Sequence, residues 1–462
     1  MRIRVDPGGR LEGVARVPGD KSIAHRWLIL AATADGPSSL LNVPPSLDVR
    51  SMAWCLGALT DKARPALNGW AANDGVAAED HRSTWNVEVE TGGGRRTGVS
   101  LEVEGEGRHG LLEPPQALDC GNSGSAMRML MGLVASEPFR VVLTGDPSLR
   151  SRPMERVAAP LRTMGATIQT TRGHAPVTMT GGPLDGIDFG SLTPSAQVKT
   201  AVLLAGLDAA GRTRVREAAP TRDHLERALM ALGAPIEVRD GEVSLSRFQH
   251  QGFSGAVPGD PSSAAFLVAA AALTASELTI TDVGLNPTRI RFLDVMERMG
   301  VRTERVTRRE ELGEPVGDIH VVGADAIGPV RVGPSELPLA IDEVPVLALL
   351  AAHAPTDSRF LGAAELRVKE SDRLEGIASG IRDAGGHAAV EGDDLVVGGG
   401  GLAGGVIDAR GDHRLAMAFA VSGLSARAPI EIVGAESAEV SFPGFFGGLA
   451  ALGASIGAVG ET

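Results

Sequence analysis

The sequence predicts an α/β protein of two lobes built from six repeated units, and three observations carry that reading. The first is length: at 462 residues the chain exceeds what one hydrophobic core organises, so more than one domain is expected. The second is a recurrence, in which an amphipathic helical pattern ends in an apolar residue, a glycine and a small residue, and a β-like run follows. It stands at Leu56-Gly57-Ala58, Met164-Gly165-Ala166, Leu232-Gly233-Ala234, Met299-Gly300-Val301, Ala384-Gly385-Gly386 and Leu452-Gly453-Ala454. The third is a tetrapeptide that occurs twice, Val17-Pro-Gly-Asp20 and Val257-Pro-Gly-Asp260, each leading into an apolar helical pattern.

A glycine in the recurring motif closes a helix in the left-handed conformation, and text such as Pro235-Ile-Glu-Val238 supplies the strand beyond it. The intervals from Gly165 to Gly233, Gly233 to Gly300 and Gly385 to Gly453 agree within a residue, so six repeated α/β units are the economical reading. The first interval is longer. Its excess falls within Thr60–Gly110, rich in Gly, Asn and charge, which reads as an inserted loop or hairpin. The paired tetrapeptides place two crossings between lobes: residues 21–255 form the first lobe, and residues 1–20 with 256–462 form the second. A cleft between them is the expected ligand site. The glycines of Gly398–Gly401 lack a strand–loop–helix setting and read as a turn.

Bulk composition narrows the function. Hydrophobic residues make up 43% of the chain and charged residues 22%, and no apolar run approaches the roughly 20 residues of a membrane span. Met1-Arg-Ile-Arg-Val-Asp6 lacks the features of a secretory signal, which points to the cytoplasm. Cys55 and Cys120 are the two cysteines and have no metal-site spacing, so neither a metal nor a redox cofactor is expected. A net charge of −13 speaks against nucleic acid and anionic membranes, and any anion site must be locally basic.

Short motifs supply that local basicity. In Gly19-Asp-Lys-Ser-Ile-Ala-His-Arg26 a turn opens a helix, with Ser22 and Arg26 four apart on one face beside Lys21; an anion site and a plain solvated helix start fit this octapeptide equally well. Asp119-Cys-Gly-Asn-Ser-Gly-Ser-Ala-Met-Arg128 is a small-residue loop entering an apolar helix, where Gly124 permits close backbone approach and Ser125 and Arg128 share a face. Arg150, Arg152 and Pro153 precede another helix, and Ser195-Ala-Gln-Val-Lys199 opens one with a hydroxyl and an amide. In Thr221-Arg-Asp-His-Leu-Glu226, Asp223 and Glu226 fit a capping pair as well as a site. Arg367-Val-Lys-Glu-Ser-Asp-Arg373 sets Lys369 and Arg373 four apart with Glu370 between, two cations and a candidate acid or base at one helix start. Gly411-Asp-His-Arg-Leu-Ala-Met417 puts Asp412, His413 and Arg414 at the mouth of an almost wholly apolar helix, and Ile341-Asp-Glu-Val-Pro345 does the same with Asp342.

Taken in order, Gly-Asp-Lys-Ser-x-x-His-Arg, Gly-Asn-x-Gly-Ser-x-x-Arg, Arg-Pro-Met, Ser-Ala-Gln, Lys-Glu-Ser-Asp-Arg and Asp-His-Arg resemble the 5-enolpyruvylshikimate-3-phosphate synthases across nearly the whole chain. The resemblance implies an inside-out α/β barrel in two lobes, of six βαβαββ units. It also implies transfer of the enolpyruvyl group of phosphoenolpyruvate to the 5-hydroxyl of shikimate 3-phosphate, with release of phosphate and without a cofactor; separately, a monomer is expected. Carried over by motif, Lys21, Gly124, Arg128, Arg152, Gln197, Glu370, Arg373 and Arg414 surround phosphoenolpyruvate. Lys21, Ser22, Arg26, Ser195, Gln197, Asp342 and Lys369 hold shikimate 3-phosphate, Asp342 being the base and Glu370 the proton donor to carbon, with Lys21 assisting.

The chain departs from that pattern in places. Ala196 removes a hydroxyl that many members carry, and Val440 stands where many have Lys. Thr221-Arg222-Asp223-His224 resembles the branch with Arg at this step, so Arg222 is expected on the 3-phosphate. Some members insensitive to the herbicide glyphosate have Ala at the position matched by Gly124; with Gly here, at least partial sensitivity is expected. The sister transferases acting on UDP-N-acetylglucosamine have Lys-Asn in place of Lys21-Ser22 and a loop Cys where this chain has Pro147. An inactive binding relative would have no need of Lys21, Asp342, Glu370 and Arg414 together.

Overall fold

The computed structural model describes residues 1–71, 87–88, 98–191 and 194–459. Its organisation follows from six helices that are apolar around most of their circumference. Lys21–Ala32, Gly124–Leu133 and Ala196–Gly206 lie in one half of the chain, and Pro261–Leu273, Val344–Ala351 and His413–Gly423 in the other. A helix with no polar face has no stable position at a surface. All six are accordingly buried along nearly their whole length, and the sheets form outside them.

The strands make six separate sheets of three to five strands, none closing on itself among the described residues. One unit shows the plan. Strand Leu118–Asp119, helix Gly124–Leu133, strand Arg140–Thr144, helix Glu155–Met164 and strands Thr167–Thr171 and His174–Thr180 follow in order. The first two strands pair in parallel and the last two close the sheet as an antiparallel hairpin. The same order recurs at residues 188–246 and 331–398. In the sheet of Gly405–Asp408, Ile430–Val433 and Ile456–Ala458, the N-terminal strand Arg2–Val5 takes the remaining place.

The other two units exchange their first strands. Val14–Arg16 pairs in parallel with Leu278–Gly284, and Ser254–Ala256 pairs in parallel with Asp35–Val43. The two Val-Pro-Gly-Asp segments are where the chain crosses. They meet face to face: the Asp20 amide donates to the Pro258 carbonyl at 2.7 Å, and the Asp260 amide to the Pro18 carbonyl at 2.8 Å. Buried apolar side chains fall into two clusters, one drawn from Ile23 through Val257 and the other from Ile3–Val17 with Ala264 through Ala454.

Five of the six motif glycines close helices with positive φ: Gly165, Gly233, Gly300, Gly385 and Gly453. Gly57 does not. It lies inside helix Leu47–Leu59, which runs on to Thr60, and it faces Asn68 so closely that a Cβ would stand 2.0 Å from the Asn68 amide oxygen. Gly57 therefore serves helix-to-helix approach, not helix termination. The expected insertion at Thr60–Gly110 is also narrowed. Arg64–Ala71 is a helix, and Val99–Glu106 is a strand paired with Asp35–Val43, with Leu101 and Val103 buried between exposed Glu102 and Glu104. Its acidic alternation marks a half-buried strand. The rest of the proposed insertion, residues 72–86 and 89–97, lies outside the described residues. Gly398 still belongs to strand Asp394–Gly398, so the expected turn is confined to the residues after it, where Gly400 and Gly401 adopt positive φ and donate to the carbonyls of Ala354 and Ala352. No helix among the described residues is long and apolar enough to cross a membrane.

Close helix crossings set the size limits at the centre. A Cβ on Gly132 would lie 2.3 Å from the Ala201 carbonyl oxygen and 2.5 Å from its Cα, so helices Gly124–Leu133 and Ala196–Gly206 touch backbone to backbone. Gly132→Ala is expected to destabilise the protein by about 1–3 kcal/mol, the usual range for overpacking, read from chemical denaturation. Gly190→Ala, at a strand position with nothing within 4 Å, is the control and should leave the midpoint unchanged. Equal midpoints for both variants would refute the tight crossing.

Candidate active site

The first half of the chain lays a basic wall along one side of a cleft. Asp20 caps helix Lys21–Ala32 by accepting from the Ile23 amide at 2.9 Å, which fixes Lys21 at the helix mouth. The Lys21 ammonium meets Asp48 at 2.7 Å. Ser123 caps the next central helix, whose Arg128 donates to Gln197 Oε1 at 2.5 Å, and Gln197 in turn donates to Ser125 Oγ at 2.8 Å. Arg152 ends the short helix Pro147–Ser151 and donates to Asn122 Oδ1 at 2.5 Å. Ser195 caps helix Ala196–Gly206. Burial, followed by the charges of Arg156 and Arg152, pushes Arg128 down to about 9.

The facing wall belongs to the second half and carries the acids. Asp342 sits within 3.3 Å of Lys369 Nζ and 3.8 Å of Arg373, and Arg414 donates to its backbone carbonyl at 2.7 Å. Arg373 is buried, bonded to Glu370 and to Asp412, the latter at 2.8 Å. Burial pushes the carboxyls of Asp342 and Glu370 up. Cations outweigh it and hold both well below the ordinary carboxylate range: Lys369, Arg222, Arg414 and Arg373 at Asp342, and chiefly Arg373, with Arg152 and Lys21, at Glu370. Burial likewise lowers His413 to about 4, which leaves it neutral at the mouth of its helix.

Contacts cross the cleft at both ends. Arg222 donates to Asp342 and, at 3.1 Å, to Ser22 Oγ. The next two residues reach the opposite half as well: Asn286 Nδ2 lies 2.7 Å from Asp223 Oδ1 and 2.9 Å from Glu314 Oε2, and His224 Nδ1 lies 2.7 Å from Glu314 Oε1. At the other end Arg152 stands 3.8 Å from Glu370, and Ser148 Oγ donates to the Glu370 carbonyl at 3.2 Å. The cleft between the two walls is lined from both halves and partly open to solvent. Its polar lining suits anions.

Eleven of the fourteen residues singled out from the sequence face this cleft: Lys21, Ser22, Arg128, Arg152, Ser195, Gln197, Arg222, Asp342, Lys369, Glu370 and Arg414. Gly124 lies just behind, where a Cβ would stand 3.0 Å from Arg128 Nη1 and 3.3 Å from Arg152 Nη1. Arg26 and Arg373 are not on the wall. Arg26 is buried beneath it, donating to the Ser22 carbonyl and to Thr200 Oγ1, both at 2.7 Å. Its position four residues after Ser22 turns it back along its own helix. Arg373 lies under Asp342 and Glu370 as their shared counter-ion. Val440 ends the 3₁₀ turn Ala435–Val440 and is not part of the cleft wall.

Sequence reasoning missed Arg289, Arg156 and Glu365, all on the wall. Arg289 is buried, within 3.1 Å of Asp20, 2.8 Å of Asp260 and 3.9 Å of Glu343. The conspicuous duplicated Asp of Val-Pro-Gly-Asp was a signal that a buried partner was needed, but nothing in the sequence near Arg289 names it. Among the described residues no group of three or more His, Cys, Asp or Glu is placed to hold a metal ion.

Comparison with known proteins agrees with this geometry. The family model described as EPSP synthase (3-phosphoshikimate 1-carboxyvinyltransferase) matches residues 5–69 and 73–449. A 3-phosphoshikimate 1-carboxyvinyltransferase of Halorhodospira halophila is 44% identical over 458 residues, covering 98% of this chain and 96% of that one. One of Acidithiobacillus ferrooxidans is 43% identical over 447 residues, covering 96% of each. The solved EPSP synthase of Acinetobacter baumannii superposes with a TM-score of 0.80 at 36% identity, over 99% of both chains. With a two-half α/β fold of six sheets, a cleft lined from both halves and a family match over almost its full length, the chain belongs to the EPSP synthase (3-phosphoshikimate 1-carboxyvinyltransferase) family.

Proposed function

We propose that this enzyme transfers the enolpyruvyl group of phosphoenolpyruvate to the 5-hydroxyl of shikimate 3-phosphate, giving 5-enolpyruvylshikimate 3-phosphate and phosphate. The observation that supports it most directly is the pair Asp342 and Glu370, two ionised carboxylates set among Lys and Arg side chains contributed by both walls of one cleft. Residues 21–255 act as one lobe and residues 1–20 with 256–462 as the other. The enzyme works as a cytoplasmic monomer, with no nucleic-acid partner.

Two substrates carrying two phosphates and two carboxylates leave water only for matched positive charge. Arg128, Arg152, Gln197 and Lys21 on one wall, with Arg414 opposite, receive phosphoenolpyruvate; Ser22, Ser195, Arg222 and Lys369 receive shikimate 3-phosphate. With Ala196 offering no hydroxyl, Ser195 and Arg222 take the larger share of the 3-phosphate. Arg26 supports Ser22 from beneath, and Arg373 supports the two acids. The hydroxyl oxygen bonds to C2 of phosphoenolpyruvate while ionised Asp342 takes its proton and Glu370, protonated once the bound anions offset the cations around it, delivers one to the methylene carbon. Loss of a proton from the resulting methyl group, back to Glu370, expels phosphate, which takes up the proton held by Asp342, and restores the double bond. The balance needs no oxidant and no cofactor.

Assay of phosphate release from the two substrates together tests the reading, and no release would refute it. In Glu370→Gln, kcat with both substrates saturating is expected to fall about 100-fold or more, the usual contribution of a general acid; near-normal turnover would remove Glu370 from that role.

Proton uptake provides a second test. The Glu370 carboxyl is held below its ordinary range by cations that incoming phosphates will partly neutralise, so binding raises its pKa and draws a proton from solvent at pH values between the free and bound positions. Calorimetric titration in buffers of different ionisation enthalpy should show more protons taken up by the unsubstituted enzyme than by Glu370→Gln. Equal uptake would count against the mechanism.

Gly124 gives a third. Glyphosate should compete with phosphoenolpyruvate, and Gly124→Ala, whose Cβ would crowd the guanidinium groups of Arg128 and Arg152, should raise the KM for phosphoenolpyruvate severalfold and weaken inhibition further. Inhibition constants showing no competition would refute this placement.

A further inference from the structure

Arg156 has no role in the site as assigned above, yet its position is distinctive. It lies on the cleft wall beside Arg128 and Arg152, in the first turn of helix Glu155–Met164. Its partner is Glu365 of the opposite half, on the 3₁₀ turn Ala364–Val368 that runs directly into Lys369 and Glu370. Arg156 Nη1 stands 3.5 Å and 3.4 Å from the two Glu365 oxygens. A well-formed charge-assisted bond measures about 2.8 Å, so this pair is loose. Both side chains line the cleft, 24% and 43% exposed, and neither makes another hydrogen bond among the described residues.

The wall around Arg156 has more positive charge than its own acids neutralise. Arg128 is bonded to the neutral Gln197 amide and the Pro153 carbonyl, and Arg152 to Asn122 and Ser148, with Glu370 only at 3.8 Å. Glu370 itself is engaged by the buried Arg373. Burial and the neighbouring guanidinium charges lower the basicity of Arg128, the strain expected of cations assembled for an anion. Of the three arginines, Arg156 has the partner easiest to displace.

We propose that Arg156 is a binding residue for phosphoenolpyruvate, and that Glu365 is an internal competitor which the substrate's phosphate or carboxylate displaces from it. The proposal rests on the reading under Proposed function and extends it to a residue that reading does not use. Glu365 holds the cation in place and prevents one more uncompensated positive charge beside Arg128 and Arg152. Displacement frees the turn that carries Lys369 and Glu370, so arrival of the anion is felt by the catalytic acid.

The two members of the pair should then have opposite effects. In Arg156→Gln the KM for phosphoenolpyruvate, measured at saturating shikimate 3-phosphate, should rise about tenfold or more, as for loss of a hydrogen bond to a charged group. The KM for shikimate 3-phosphate should stay within about twofold. In Glu365→Gln the KM for phosphoenolpyruvate should fall, and the double variant should match Arg156→Gln. If Glu365→Gln raises that KM as Arg156→Gln does, the pair is a strap between the halves and the proposal is overturned; an unchanged KM in Arg156→Gln overturns it equally. Circular dichroism of each variant separates these results from misfolding, and Glu365→Gln, on an exposed side chain, keeps the test open if Arg156→Gln fails to fold. Failure of the unsubstituted enzyme to release phosphate would refute the proposed function, and this inference with it. Normal release with the wrong pattern of KM values refutes the inference alone.

Discussion

The buried guanidinium of Arg289 is the contact on which the arrangement of the site depends. It joins Asp20 and Asp260, the residues that cap the first central helix of each half, at the point where the chain crosses from one half to the other. The same side chain approaches Glu343, next in sequence to Asp342, and Ser262 Oγ at 3.1 Å. Isolated, the carboxylate of Asp20 would be very costly to bury, since it has no exposed surface. Paired with Arg289 and with the helix amides it becomes a fixed point. Lys21 begins where Asp20 ends, so the position of the first cation on one wall and of the first acid on the other both follow from one arginine. Removing one partner of such a cluster leaves the others buried and unpaired, typically a loss of about 3–5 kcal/mol.

A protein of net charge −13 that binds anions must concentrate its positive charge. Helix mouths do this here. Lys21, Arg373 and Arg414 each stand at or beside the N-terminus of a helix capped by Asp20, Asp372 or Asp412, so backbone amides and cationic side chains converge on one space. The capping aspartates are bound at the helix starts and in ion pairs, whereas Asp342, Glu365 and Glu370 present their carboxylates to the cleft. Arg373 is shared between them, within reach of Asp342, Glu370 and Asp412 at once. Its burial explains why a motif residue that looks like a ligand contact acts instead from underneath.

Features encoded within a few residues were legible in the sequence. The helix starts at Lys21, Ser195, Arg373 and His413, the turn after Gly398 and the paired crossings were all written in local patterns, as were eleven cleft residues. Features that depend on a partner far along the chain were not. Arg289 meets Asp20 from 269 residues away, and His224 meets Glu314 across 90. Gly57 satisfied the local rule for a helix stop and was overruled by the helix packed against it at Asn68. Val99–Glu106 hid its period-two alternation under glutamates, so the stretch read as an inserted loop or hairpin although its alternate residues Leu101 and Val103 are buried. Arg26 lies on the same side of its helix as Ser22, as expected, but its guanidinium folds back beneath Ser22 to the Ser22 carbonyl and Thr200.

The Thr221–His224 segment shows how polar contacts tie the two halves together. Arg222, Asp223 and His224 each reach a different residue of the opposite half: Asp342, Asn286 and Glu314. Asn286 donates one amide group toward both Asp223 and Glu314, and three residues later in its chain comes Arg289. Segment and hub are thus continuous through Asn286-Pro-Thr-Arg289. Polar contacts of this kind have directional optima and little tolerance for partial separation, whereas an apolar interface of equal extent permits sliding. Charge entering at Arg222 must be accommodated by Asp342, and any movement that relieves it is transmitted to Asp223, His224 and the Arg289 cluster. Substrate recognition and the register of the two walls are therefore one electrostatic problem, solved by the same few side chains.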